Sequence, residues 1–117
     1  MSTRPAAPRR RDTRSRGAVL RELERIRARI AALQAEELGL LARADAIAAE
    51  QTARVPSSAG REREMPLREM AAEVGTVLRR SDRVIQDRLH DATVLVTGFP
   101  ATVAALRSGA IDTSHVR

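Results

Sequence analysis

The sequence predicts an all-α protein: a long, coiled-coil-like N-terminal helix, then a cluster of short helices containing a helix-turn-helix-like pair. Three observations carry that expectation. Apolar residues recur at three- and four-residue steps over most of the chain instead of alternating. The apolar residues are mostly alanine, with one phenylalanine and no tryptophan or tyrosine, so helices must approach closely to bury any useful area. Finally, glycine, proline and short polar residues punctuate the second half at helix-length intervals.

The 117 residues are enough for one modest core. The chain has no cysteine, which excludes disulfides and thiolate metal sites. All 21 basic residues are arginine; with abundant Ala, Gly, Val and Asp, this marks the codon usage of a high-GC bacterial genome and says nothing about function. The net charge of +6 is unevenly placed. Residues 1–17 hold six arginines against Asp12, residues 18–97 balance, and residues 98–117 set Arg107 and Arg117 against Asp112. The surplus therefore sits in the tail.

Residues 1–16, with two prolines, six arginines and no apolar periodicity, read as a disordered basic arm. Residues 17–54 read as one helix. Val19, Leu23, Ile26, Ile30, Leu33, Leu40, Ala44 and Ile47 form a heptad-like stripe, with Glu37 in its one gap. At ~1.5 Å per residue this helix would be roughly 55 Å long. Nothing else in the chain is long enough to cover it, so it pairs with a second copy, projects, or breaks near Gly39, where glycine costs about 1 kcal/mol against alanine. The self-association candidates are Leu23, Ile26, Ile30, Leu33, Leu40 and Ile47.

Residues 55–66 read as a linker, and residues 67–117 as a helical domain. Its first helix spans about Leu67 to Leu78, with Leu67, Met70, Ala71, Val74, Val77 and Leu78 on one face. Ser81 or Asp82 caps the next, from about Arg83 to Val96, with Ile85, Leu89 and Ala92 inward. The β-branched "TVLVT" at its end makes a short strand the competing expectation. Gly98 closes that helix, and Pro100 opens another that ends at Gly109. Asp112, Thr113 and Ser114 read as the cap of a further helix beginning at His115.

The sharpest local pattern is "VGTVLRRSDRVIQDRL". Val74, Gly75, Leu78, Ser81, Val84–Ile85 and Leu89 have the order and spacing of a helix-turn-helix: a small residue for close crossing, a polar cap, then apolar residues that hold the second helix on the first. Asp82, Arg83, Gln86, Asp87 and His90 fall on the outer face. Arg79 takes the turn position where glycine is usual. Two readings compete, a groove-reading pair and a tight amphipathic helix pair. The segment is charge-neutral, whereas binding to DNA draws on excess cationic charge. The candidate nucleic-acid residues are Arg9, Arg10 and Arg11 in the arm and Arg79, Arg80, Ser81, Arg83 and Gln86 at the pair. Six arm arginines contacting phosphate would each give a log-log salt slope of roughly −0.9. The competing reading of the arm is a solvated tail.

No group is placed for catalysis. His90 has Asp87 and Asp91 nearby but no further ligand, and the chain lacks a glycine-rich phosphate loop or a nucleophile paired with a base. The expectation is a non-enzyme with no metal, no cofactor and no small-molecule ligand. Charges interrupt every apolar run before it reaches spanning length, so no membrane contact is expected. An arginine-rich start is also a feature of organellar transit peptides, a reading set against the bacterial composition; the expected location is the cytoplasm.

Residues 70–117 resemble the bacterial domain of unknown function 222. That family commonly precedes an HNH endonuclease domain in high-GC bacteria. The resemblance rests on Glu73, Val74, Leu78, Arg79 and Ser81, on Arg88–Leu89, and above all on "FPATVAALRSGAIDTSHVR". There Pro100, Ala101, Thr102, Ala105, Leu106, Gly109, Ile111 and His115 match, while Phe99 replaces the usual leucine. The resemblance implies a truncated family domain without the paired histidines and asparagine of the nuclease. The expected function is accordingly an accessory helical module that self-associates as a homodimer through residues 17–54. The alternative is a small DNA-binding protein using residues 74–89 and the basic arm.

Overall fold

The computed structural model describes residues 9–111, with side chains from Thr13 onward. Four helices follow one another: α1 (Arg9–Ala53), α2 (Met65–Leu78), α3 (Asp82–Gly98) and α4 (Pro100–Arg107). No strand occurs among the described residues, and the chain is all-α.

Helix α1 runs for 45 residues and passes through Gly39 without a break. It begins earlier than residue 17, so the stretch from Arg9 to Arg16 is helical and not a disordered arm. The last residue that disfavours a helix there is Pro8, and arginine is among the better helix formers. The side chains of Arg9, Arg10 and Arg11 lie outside the described residues, as do Asp112, Thr113, Ser114 and His115.

The three short helices pack along the second half of α1. They rest on a face of small residues: Ala31, Ala35 and Ala48 are buried together with Leu41. Alanine at the contact lets two helix axes come close, and the area lost to its short side chain is recovered from the partner helices. Two clusters result. Leu41 packs with Ala71, Ile85, Leu89 and Ala92, and Ala31 and Ala35 pack with Val103 and Leu106. Leu38 touches both. Residues 67–111 thus share their core with α1.

Local signals explain the breaks. Pro66 sits in the first turn of α2 and is buried, so the helix opens before Leu67 and the linker is shorter than 55–66. The linker is also tied down: the Arg63 guanidinium donates to the Val55 carbonyl at 2.7 Å, and the Thr52 hydroxyl donates to the Arg63 carbonyl at 3.3 Å. Within α2, Pro66, Ala71 and Gly75 are the buried residues, and Val77 is exposed at 78%, outside the inward face assigned to it. Its neighbour Leu78 takes the inward position one helical step on.

The "TVLVT" segment is helical. Leu95 and Val96 pack on the core beside α4, next to the buried Ala92, while Val94 faces solvent. The Thr93 and Thr97 hydroxyls donate to the carbonyls of Leu89 and Thr93, one turn back. Helices α3 and α4 meet at 98° around Phe99. After α4, Gly109 takes φ +78°, and a Cβ there would lie 2.7 Å from Ala28 Cβ. Only glycine lets the chain turn left-handed while lying this close to α1.

Candidate functional site

Two surfaces stand out, and α1 carries the first. The stripe Val19, Leu23, Ile26, Ile30, Leu33, Leu40 and Ile47 is exposed, from 37% at Ile30 to 66% at Leu40. The fold uses the alanine face and leaves the large aliphatics of the same helix in water. Single exposed leucines are ordinary, whereas seven aligned residues on one face form a contiguous apolar strip. Across its first half, from Thr13 to Ile30, nearly every residue is exposed; Gly17 and Ala28 are half-buried. Over its second half the stripe borders α2 and forms an apolar groove. Leu33 and Leu40 line one side, Met70 and Val77 the other, and Glu36, Glu37 and Glu73 also line it.

The second surface is the α2–α3 pair. The turn has the geometry that its spacing predicts. Arg79 adopts the left-handed conformation (φ 56°, ψ 49°), and the Arg80 N–H donates to the Gly75 carbonyl at 2.9 Å. Ser81 caps α3, its hydroxyl accepting from the Val84 N–H at 3.4 Å. Gly75 is buried, and a Cβ on it would stand 2.7 Å from the Arg80 carbonyl oxygen. Ile85 and Leu89 are fully buried.

The charged residues of this pair carry both signs. Arg79, Arg80, Ser81 and Arg83 are exposed, whereas Gln86 is half-buried. Gln86 lines a cleft with Asp45, Ala48, Thr52 and Arg68, so it turns toward α1 and not outward. This corrects its placement on the free face. The cause is α1, whose C-terminal turns lie along α3, where the Thr93 hydroxyl donates to the Asp45 carboxylate at 2.5 Å. The exposed face of α3 alternates Arg83 and Arg88 with Asp87 and Asp91. These four charges balance.

Among the described residues no three His, Cys, Asp or Glu side chains come together in a way that could hold a metal ion, and none of the buried residues is polar or charged. His90 is exposed on α3. The ion pairs Arg25–Glu22 (2.7 Å) and Arg68–Glu64 (3.4 Å) lie one turn apart on exposed helix faces, where such pairs contribute a few tenths of a kcal/mol. No single described helix is long and apolar enough to cross a membrane.

The long-helix residues named from the sequence thus share one face. The pair residues share one turn, except Gln86. What sequence reasoning missed is the groove contributed by α2, notably Met70 and Val77. Its signal was weak, because both had been assigned to the inside of α2. No protein-family model, curated protein or solved structure matches the chain.

Proposed function

We propose that this protein is a non-enzymatic helical module that self-associates through the aliphatic stripe of α1. One observation carries the reading: seven large aliphatic residues of one helix face lie in water while the fold rests on the alanine face of the same helix. Removing such a stripe from water gains roughly 25 cal/mol for each Å² buried, and a second copy supplies a matching face. The resemblance of residues 70–117 to domain of unknown function 222 supports placing the module among accessory domains of HNH-endonuclease-associated proteins. Sedimentation equilibrium tests association: the expected result is a concentration-dependent dimer that Leu23→Asp together with Ile30→Asp converts to monomer with an unchanged helical spectrum. A wild-type chain that stays monomeric at hundreds of micromolar overturns the reading.

A second reading, DNA binding, is favoured by the α2–α3 turn, where Arg79, Arg80 and Arg83 stand exposed around a capped helix start. Fluorescence anisotropy of the full chain with random duplex at low salt separates the two readings. Under the first, affinity stays weak and Arg80→Ala with Arg83→Ala leaves it unchanged. Under the second, both changes lower it and reduce the salt slope by nearly one per lost contact.

A further inference from the structure

Charge is distributed along α1 in a way that orients the association. From residue 13 to 30, six arginines oppose Glu22 and Glu24, a balance of +4; from 31 to 53, Arg43 opposes Glu36, Glu37, Asp45 and Glu50, a balance of −3. Two copies lying parallel would set like halves together. Two lying antiparallel set the basic half of each against the acidic half of the other.

The flanking positions then select a register. On the side of the stripe away from the short helices, Glu22, Arg29, Glu36, Arg43 and Glu50 recur every seven residues with alternating sign. On the other side the corresponding Leu41 and Ala48 are already buried against the short helices. A parallel pair sets one flank against the other and wastes these charges; an antiparallel pair sets this open flank against itself. With the twofold axis level with the step between Ala31 and Ala32, Glu22 meets Arg43 and Arg29 meets Glu36, each twice. A slip of one heptad either way puts Glu against Glu and Arg against Arg.

We propose, resting on the self-association reading, that the protein is an antiparallel dimer with α1 in this register. The uncovered first half of each α1 lies in the α1–α2 groove of the other copy. Leu23 packs on Leu40 of the partner, Ile30 on the partner's Leu33, and Val19 on the partner's small Ala44. Glu37, the one carboxylate in the stripe, falls opposite Ile26 of the partner and beside the partner's Arg29. The groove carboxylates Glu36 and Glu73 face the basic residues of the partner's first half. Each first half thereby covers the apolar groove that one chain leaves open.

The chain contains no cysteine, so introduced thiols report the geometry cleanly. In the full-length chain, Leu23→Cys with Leu40→Cys is expected to form a covalent dimer on mild oxidation, and neither single variant is. Within one helix the two positions are roughly 25 Å apart, far beyond disulfide reach, and each residue is about that far from its own copy in this register. Arg29→Glu is expected to weaken association about tenfold, since it creates a like-charge contact twice, and Arg29→Glu with Glu36→Arg restores it. A dimer in which Leu23→Cys alone cross-links, or in which the double charge exchange fails to rescue, overturns the orientation and register while leaving self-association standing. A chain with no dimer at all sinks both.

Discussion

The two halves of α1 carry the same aliphatic stripe and meet opposite circumstances. Both carry large aliphatics at alternating three- and four-residue steps, and both are interrupted by charge. In the second half the helix presents Ala31, Ala35, Leu41 and Ala48 to three other helices and buries them. In the first half Glu24 and Arg27 stand at the corresponding positions and are exposed. The stripe stands in water along both halves, with Leu23 at 52% and Leu40 at 66% exposure. The difference teaches that apolar content does not decide which face a fold uses. What decides is whether another element can come close enough, and along residues 13–27 none of the other described helices covers the stripe.

That contrast can be broken in three ways, taken from the largest effect down. Leu89→Ala empties a fully buried site and should cost about 2–5 kcal/mol, the usual range for leucine truncation with its residual cavity. Leu23→Ala, on the uncovered half, should change the stability of the dilute single chain by no more than about 0.5 kcal/mol and act on association instead. Urea unfolding at low protein concentration checks both. Equal losses would mean that the first half of α1 is covered after all.

Glycine to alanine should change sign between regions. At Gly75 a Cβ would lie 2.7 Å from the Arg80 carbonyl oxygen, so Gly75→Ala must push α2 and its turn apart, at about 1–3 kcal/mol. At Gly39 a Cβ meets nothing within 4 Å, so Gly39→Ala should stabilise by about 1 kcal/mol through helix propensity. Paired thermal melts of the two variants read the opposite shifts directly. The third way belongs to the turn. Arg79 holds a left-handed conformation (φ 56°) that an L-residue adopts at a cost of about 1–2 kcal/mol, so Arg79→Gly should raise the melting temperature by a few degrees. A lowered melting temperature would show that the arginine side chain supports the turn.

Much of the second half was legible because its signals are local. Gly75, Ser81, Pro100 and Gly109 each act through their own backbone or the next turn, and all four sit where their chemistry places them. The inward set Ile85, Leu89 and Ala92 followed from helical spacing alone. The first turn of α2 was misjudged because proline reads as a breaker until the following helix is known. Val77 was misassigned because adjacent Val77 and Leu78 both satisfy a loose apolar periodicity, and only packing chooses between them.

The face of α1 used by the core was not legible. Periodicity weights large side chains, so the stripe through Leu23, Ile30 and Leu40 dominates any reading, and the alanines beside it pass for helix filler. Likewise, Gln86 fell on the outer face of a free helix pair until α1 was laid beside it.

By itself, then, the sequence determined the helices, their caps and the alternation of charge along α1, because each depends on neighbours within a turn or two. The tertiary structure alone decided that the alanine face goes inward and the aliphatic face stays out. That choice rests on the distance between helix axes, which small side chains shorten and large ones prevent, and no local pattern encodes it.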